Sequence, residues 1–233
     1  MKASCVLRAA MLVSAAGIAG LTPEFSSADM LISQAILDFA TAGDRRRDVE
    51  VGNSGRERIY VVVEPALIEN PGTVAERRVA EPDPEKLGLL VTPTRLVLEP
   101  GERKVIRISL LREPPVADRV YRVMIKPAVG RVQSDQSAVK ILVGYDVLVI
   151  QRPVAARDDV SFTRQGPWLT LRNGGNTNVL LSDGKQCDAA GHNCRTLETK
   201  RLYAGAQWRV RLPHGGPVTY SLQVGNNVVR RSF

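Results

Sequence analysis

Cys187 and Cys194, with His192 between them in CDAAGHNC, form the one closely spaced set of redox-active or metal-ligating side chains in this sequence. Two thiols and one imidazole lack the fourth ligand of a tetrahedral metal site. In an exported chain the simpler reading is a local disulfide, which would stabilise by about 2–3 kcal/mol through restriction of the unfolded chain. The other histidine, His214, lies in LPHGGP with no Ser, Cys or acidic residue in a recognisable catalytic order. Asp158 and Asp159 are adjacent, so their side chains diverge and make a poor general acid/base pair. No Gly-rich phosphate loop runs from a strand into a helix, and nothing implies a metal or a cofactor. The chemistry points away from an enzyme and toward binding.

The binding candidate is Val139 to Pro153, VKILVGYDVLVIQRP. Val139, Ile141, Val143 and Tyr145 alternate with Lys140, Leu142, Gly144 and Asp146; Val147 to Ile150 is then apolar on both faces. Side chains alternate across a strand, so this predicts one long β-strand over Val139–Gln151, closed by proline. It carries more apolar surface than a small β-domain easily buries. The strand is therefore either central or offered to a partner.

The elements that must position it are all strands. Residues 1–28 have the pattern of a secretory signal: Lys2 and Arg8, an apolar run from Ala9 to Leu21, then Ser26-Ser27-Ala28 for cleavage. That run is too short to span a bilayer, and charges or prolines interrupt every later one, so no membrane insertion is expected. Removing the leader takes Cys5, two of the 32 basic residues and one of the 24 acidic ones, leaving a formal +7. The basic residues are dispersed and aromatics make up 5% of the chain, which argues against nucleic acid as a partner.

No helical periodicity is sustained over ten residues. Short apolar runs recur between Gly, Pro, Asn and Asp: eight up to Gln151, beginning with a strand over Met30–Asp38, and seven from Val160 to Phe233, one of them over Thr196–Leu202. This predicts an all-β protein with two β-sandwich domains, 29–152 and 153–233. Arg152 and Pro153 should form the joint, with Arg152 paired to an acidic group such as Asp118. Pro100-Gly101 predicts a type II turn, read as a hairpin between its flanking strands. Glu69 to Lys86, rich in proline and charge, reads as a mobile loop.

Three segments, in order, resemble the periplasmic chaperones of chaperone–usher pili. They are VTPTRLVLEPG (91–101) continuing to Val105-Ile106-Arg107-Ile108, then Asp118 to Val123, then Val139 to Pro153 with its closing Arg-Pro. The resemblance covers most of Leu31 to Pro153 and fades in the second domain, where Trp168 to Asn173 fits best. It implies two immunoglobulin-like domains set at an angle, a periplasmic location, and pilus or fimbrial subunits and an outer-membrane usher as partners. It also implies that the long strand completes the unfinished sandwich of a subunit, with Val139, Ile141, Val143 and Tyr145 as the donated face. Leu142, on the other face, should then lie in the protein's own core. Family members hold the subunit's terminal carboxylate with two cations, and those positions fall here at Gln34 and Leu148. Arg122, on the neighbouring strand, is the substitute anchor. The competing reading is a structural or adhesive β-sandwich protein of the envelope; a weaker one is a hydrolase built around His214.

One outcome follows from export and spacing. The exported protein, unreduced, should show no thiol reactive to an alkylating agent at Cys187 or Cys194; two reactive thiols would remove the disulfide.

Overall fold

The computed structural model describes residues 30–40, 43–128 and 142–233. The leader, its cleavage point and the candidate residues Val139 and Ile141 lie outside them. The first half comprises β1 (Met30–Ile32), β2 (Ile36–Phe39), β3 (Arg46–Asn53), β4 (Ile59–Glu69), β5 (Arg77–Val79), helix α1 (Pro84–Leu87), β6 (Leu89–Thr92), β7 (Arg95–Leu98), β8 (Arg103–Leu110), β9 (Arg119–Pro127) and β10 (Tyr145–Gln151). One sheet runs β1-β3-β8-β6, the facing one β2-β10-β9-β4-β5, with β7 also on β4. Alternation drives the assembly. Val49 and Val51 on β3, Ile106 and Ile108 on β8, and Tyr121, Val123 and Ile125 on β9 point inward and are buried in one core.

The second half comprises β11 (Val160–Gln165), β12 (Trp168–Asn173), β13 (Val179–Gln186), β14 (Arg195–Thr196), β15 (Lys200–Leu202), β16 (Gln207–Arg211), β17 (Val218–Val224) and β18 (Asn227–Ser232). Its sheets are β11-β12-β16 and β14-β13-β17-β18, with β15 on β13. They close over a second core of Leu169, Leu171, Val179, Leu181, Trp208 and Tyr220. At a bulge between Ser182 and Lys185, Gly184 passes so close to Tyr220 that a Cβ would meet its ring. The architecture is all-β, with two sandwiches.

The backbone corrects several sequence expectations. Met30–Asp38 is not one strand: β1 pairs antiparallel with β3, and β2 pairs parallel with β10 in the other sheet. The chain changes sheets at Ser33–Ala35, so both pieces bury a face. The span read as Thr196–Leu202 likewise divides into β14 and β15. Pro100-Gly101 forms the expected turn, with Gly101 at φ +77° and Glu102 N donating to Glu99 O at 3.0 Å. It is no hairpin, because β7 belongs to one sheet and β8 to the other. The stretch read as a mobile loop instead holds β5, paired with β4, and helix α1, capped by Asp83 and ended by Gly88 in the left-handed region. Its charges caused the misreading: Arg77 pairs with Glu69 at 2.5 Å. Cys187 and Cys194 are joined in a disulfide. Asp188 organises that loop by accepting from the amides of Ala190, His192 and Asn193, which hold its carboxyl below its usual value.

Tyr220 is fully buried, and that burial pushes its hydroxyl up to about 12. Below pH ~10 the phenol is neutral folded and unfolded alike; between ~10 and ~12 only the unfolded chain ionises, so stability falls as pH rises. Denaturant titrations at several alkaline pH values should show a loss of about 2–3 kcal/mol across that window. The decline should be clearly shallower in Tyr220→Phe, the remainder coming from Tyr121 and Tyr203, whose hydroxyls burial also pushes up. An equally steep decline in that variant would assign it to other groups.

Candidate functional site

Strands β4, β9 and β10 each have two buried faces. Their odd-numbered residues, such as Val63, Val123, Val147 and Val149, fill the first core. Their even-numbered residues Ile68, Val120, Leu148 and Ile150 pack into the second. The register sets these outer residues in rows. Ile150, Val120 and Ile68 lie side by side, then Leu148, Arg122 and Ala66, then Asp146, Met124 and Glu64. The first row is sealed by the second sandwich. The third is open, so the face grades from dry to wet across three rows.

Arg122 stands where the gradient turns polar. Its side chain is about one-third exposed, donates to the Asp146 carbonyl at 3.2 Å and lies 3.9 Å from the Asp146 carboxylate. Arg78 grips the same carboxylate with two nitrogens, at 2.8 and 3.3 Å. Two guanidinium groups share one carboxylate, leaving a net positive charge at the wet end of this face, the mouth of a cleft that runs toward the second sandwich. Burial pushes the neighbouring Tyr203 hydroxyl up, against the opposing charges of Arg122 and Arg201. Gln34 is exposed and donates to Asp48 O, and Leu148 is buried, so neither presents a charge. A recess of about 290 Å³ between the sandwiches is lined by Ile36, Asp38, Arg152, Leu180, Arg201 and Gln223, among others.

At the joint, Arg152 and Pro153 are both buried. The Arg152 partner is Asp38 on β2, gripped at 2.8 Å by two nitrogens, and not Asp118 as the sequence suggested. Its remaining nitrogen donates to Thr177 Oγ1 and Asn178 O. Asp118 sits one bond further on, accepting from Thr177 Oγ1 and from the amide and side chain of Asn178. Burial pushes the Asp118 carboxyl above its ordinary value, against these hydrogen bonds and the Arg152 charge. One relay thus runs Asp38–Arg152–Thr177–Asp118 between the sandwiches.

Val143 is 41% exposed and Leu142 38% exposed, so Leu142 is not the core residue expected of its face; the strand begins only at Tyr145. Tyr145 packs against the first core, and its hydroxyl donates to Met30 O at 2.8 Å. Sequence reasoning missed Asp38, Arg78, Asp146 and Arg201. Asp146 had a signal, the one acid between Val139 and Gln151; Arg78 was hidden in the supposed loop. His214 contributes its backbone to Gln186 and Arg164, and its buried Nε2 has no hydrogen-bond partner among the described residues. Among the described residues, no group of three His, Cys, Asp or Glu side chains is placed to hold a metal, and no helix is long and apolar enough to cross a membrane.

Two sandwiches sharing a double-buried strand, with a basic cleft between, have close counterparts among solved structures. The class 5 fimbriae chaperone CfaA superposes with a TM-score of 0.64 at 21% identity, covering 87% of this chain and 98% of that one. A chain from the complex of the Salmonella enterica SafA pilin with the SafB chaperone superposes with a TM-score of 0.62 at 15% identity, covering 90% and 96%. This is the fold of the fimbrial chaperones. In sequence, the chain is 26% identical over 172 residues to a CS1 fimbrial subunit of Escherichia coli, spanning 69% of this chain and 71% of that protein. No family model matches.

The relay predicts the effect of cutting it. Arg152→Ala leaves Asp38 and Thr177 without their buried donor and should cost about 3–5 kcal/mol. It should also broaden the distribution of inter-sandwich distances in small-angle scattering. A melting temperature and scattering curve equal to wild type would show that the relay holds nothing.

Proposed function

We propose that this protein is a periplasmic chaperone of fimbrial subunits, which it stabilises by donating a strand and passes to an outer-membrane usher. Residues 29–152 then form the donor domain and 153–233 the second, joined at Arg152-Pro153. One observation carries the reading: β10 is buried from Val147 to Gln151, while Leu142 and Val143, the described apolar residues just before it, are exposed and belong to neither core. β9 also continues two residues beyond its last pair with β10, so among the described residues Lys126 and Pro127 are paired on the β4 side only. A strand extended upstream along that edge would place Val139, Ile141 and Val143 on the same side as Val147 and Val149, but past the end of the core. There they fill the groove of a subunit that lacks its last strand, supplying main-chain hydrogen bonds and alternate apolar side chains. Tyr145, expected on the donated face, packs instead on the protein's own core and bonds Met30 O, so the donated segment ends just before it. The Arg78–Arg122 pair offers the charge to meet the subunit's terminal carboxylate, Arg122 acting as anchor by exchanging its bonds to Asp146. The role requires no catalysis.

The Escherichia coli relative carries the name of a fimbrial subunit, which favours a second reading, a structural β-sandwich of the envelope. A fibre subunit must leave a groove in its own sandwich. The first sandwich instead has β10 seated between β2 and β9, with a filled core. A subunit would also polymerise alone, which a chaperone does not.

Each donated aliphatic side chain should contribute roughly 1.5–3 kcal/mol to the complex. Ile141→Glu should abolish recovery of fimbrial subunits co-expressed from the protein's own organism and leave its melting temperature unchanged. Val149→Glu, in the core, should unfold it, and Arg122→Ala should weaken recovery without unfolding. If Ile141→Glu melts as low as Val149→Glu, the segment is ordinary core and donation is lost.

A further inference from the structure

The outer face of the β11-β12-β16 sheet is absorbed by neither the cores nor the cleft. Residues 153–233 carry nine arginines and two lysines against four aspartates and one glutamate, a formal +6 of the chain's +8. Part of that charge converges on this face. The register places Ser161, Thr163 and Gln165 on β11, Trp168, Thr170 and Arg172 on β12, and Gln207, Arg209 and Arg211 on β16 together, pointing away from the core. Eight of the nine are exposed, Thr170 being half-buried, and none is acidic.

Arg211 lies across from Trp168 and Arg209 across from Thr170, and the Arg209 guanidinium stacks on the Trp168 ring at 4.4 Å. No ion pair engages Arg172, Arg209 or Arg211 among the described residues, whereas the first sandwich pairs many of its arginines with carboxylates, as at Arg103–Glu50 and Arg107–Asp48. With strands about 4.8 Å apart and same-face residues about 6.7 Å apart, three unpaired cations and an indole share one small patch.

We propose that this face docks on the surface of an anionic phospholipid bilayer. The match is one of charge and of shape. Unpaired guanidinium groups offer two-pronged donors to phosphate, and an exposed indole suits the headgroup layer, where tryptophan is enriched. The face is one side of a three-stranded sheet, and none of its nine positions lines the recess at Ile36–Arg201. An array of like charges without a recess fits a fluid sheet of repeating anions; an acidic protein partner would be met by a shaped groove. The contact is peripheral and leaves the cleft and β10 free, so it is independent of the donor-strand reading.

The test uses the protein purified after export, sedimented with vesicles of phosphatidylcholine alone or mixed with phosphatidylglycerol, at low and high salt. Binding should require phosphatidylglycerol and weaken with salt. Replacing Arg172, Arg209 and Arg211 together by Gln should lower the partition coefficient at least tenfold without altering circular dichroism. A control triple replacement of Arg46, Arg56 and Arg95, exposed on the first sandwich, should leave binding near wild type. Trp168 fluorescence should shift to the blue with mixed vesicles, and the vesicle-induced shift should vanish in Trp168→Phe. Equal loss in both triple variants would show attraction by net charge alone and overturn the proposal. So would indifference to vesicles combined with retention on polyglutamate beads, which would make this a protein-docking face, and so would elution from vesicles by inorganic phosphate at equal ionic strength.

Discussion

Burial of β10 on both faces is the constraint from which the rest of the structure follows. A strand whose odd residues fill one sandwich and whose even residues fill the other must lie between the two cores. It cannot shift register by one residue without exchanging Val147 and Val149 for Leu148 and Ile150, which would misalign every row across β9 and β4. The same strand therefore fixes the cleft wall. Asp146, at its wet end, clamps Arg78 and Arg122; Arg152, just past its dry end, ties Asp38 to Thr177.

The two ends use charge differently. At the joint Arg152 is almost fully buried, and each of its nitrogens has an acceptor, so the pair adds orientation more than net stability. At the mouth Arg122 and Arg78 are partly solvated and outnumber their carboxylate, which keeps them exchangeable. A fully bonded joint beneath an exchangeable, positively charged mouth suits the proposed chaperone, which would have to hold a partner and then release it.

The alternation of apolar residues revealed most of the strands, because one face of each of these is dry. Val49 and Val51, or Ile106 and Ile108, announce themselves in sequence. Sheet membership did not, since the exchange at Ser33–Ala35 and the crossing at Pro100-Gly101 depend on which edges remain free after the sheets form. The disulfide was legible from spacing and export. The Arg152 partner was not, because Asp38 is 114 residues away and reaches it only through the parallel pairing of β2 with β10. The same holds for the basic outer face: Arg172 and Arg209 become neighbours only once β12 and β16 pair, so the sequence showed dispersed charge where the sheet gathers it.

The central claim is that apolar residues before β10 belong to a partner. Hydrogen exchange of the backbone amides, measured on the protein alone and in complex with a fimbrial subunit, tests it most directly. The account predicts fast exchange from Val139 to Gly144 in the free protein and strong protection there on binding, with Val147 to Gln151 protected in both states. Slow exchange from Val139 to Gly144 in the free protein, or binding that protects other segments and leaves these amides unchanged, would contradict it.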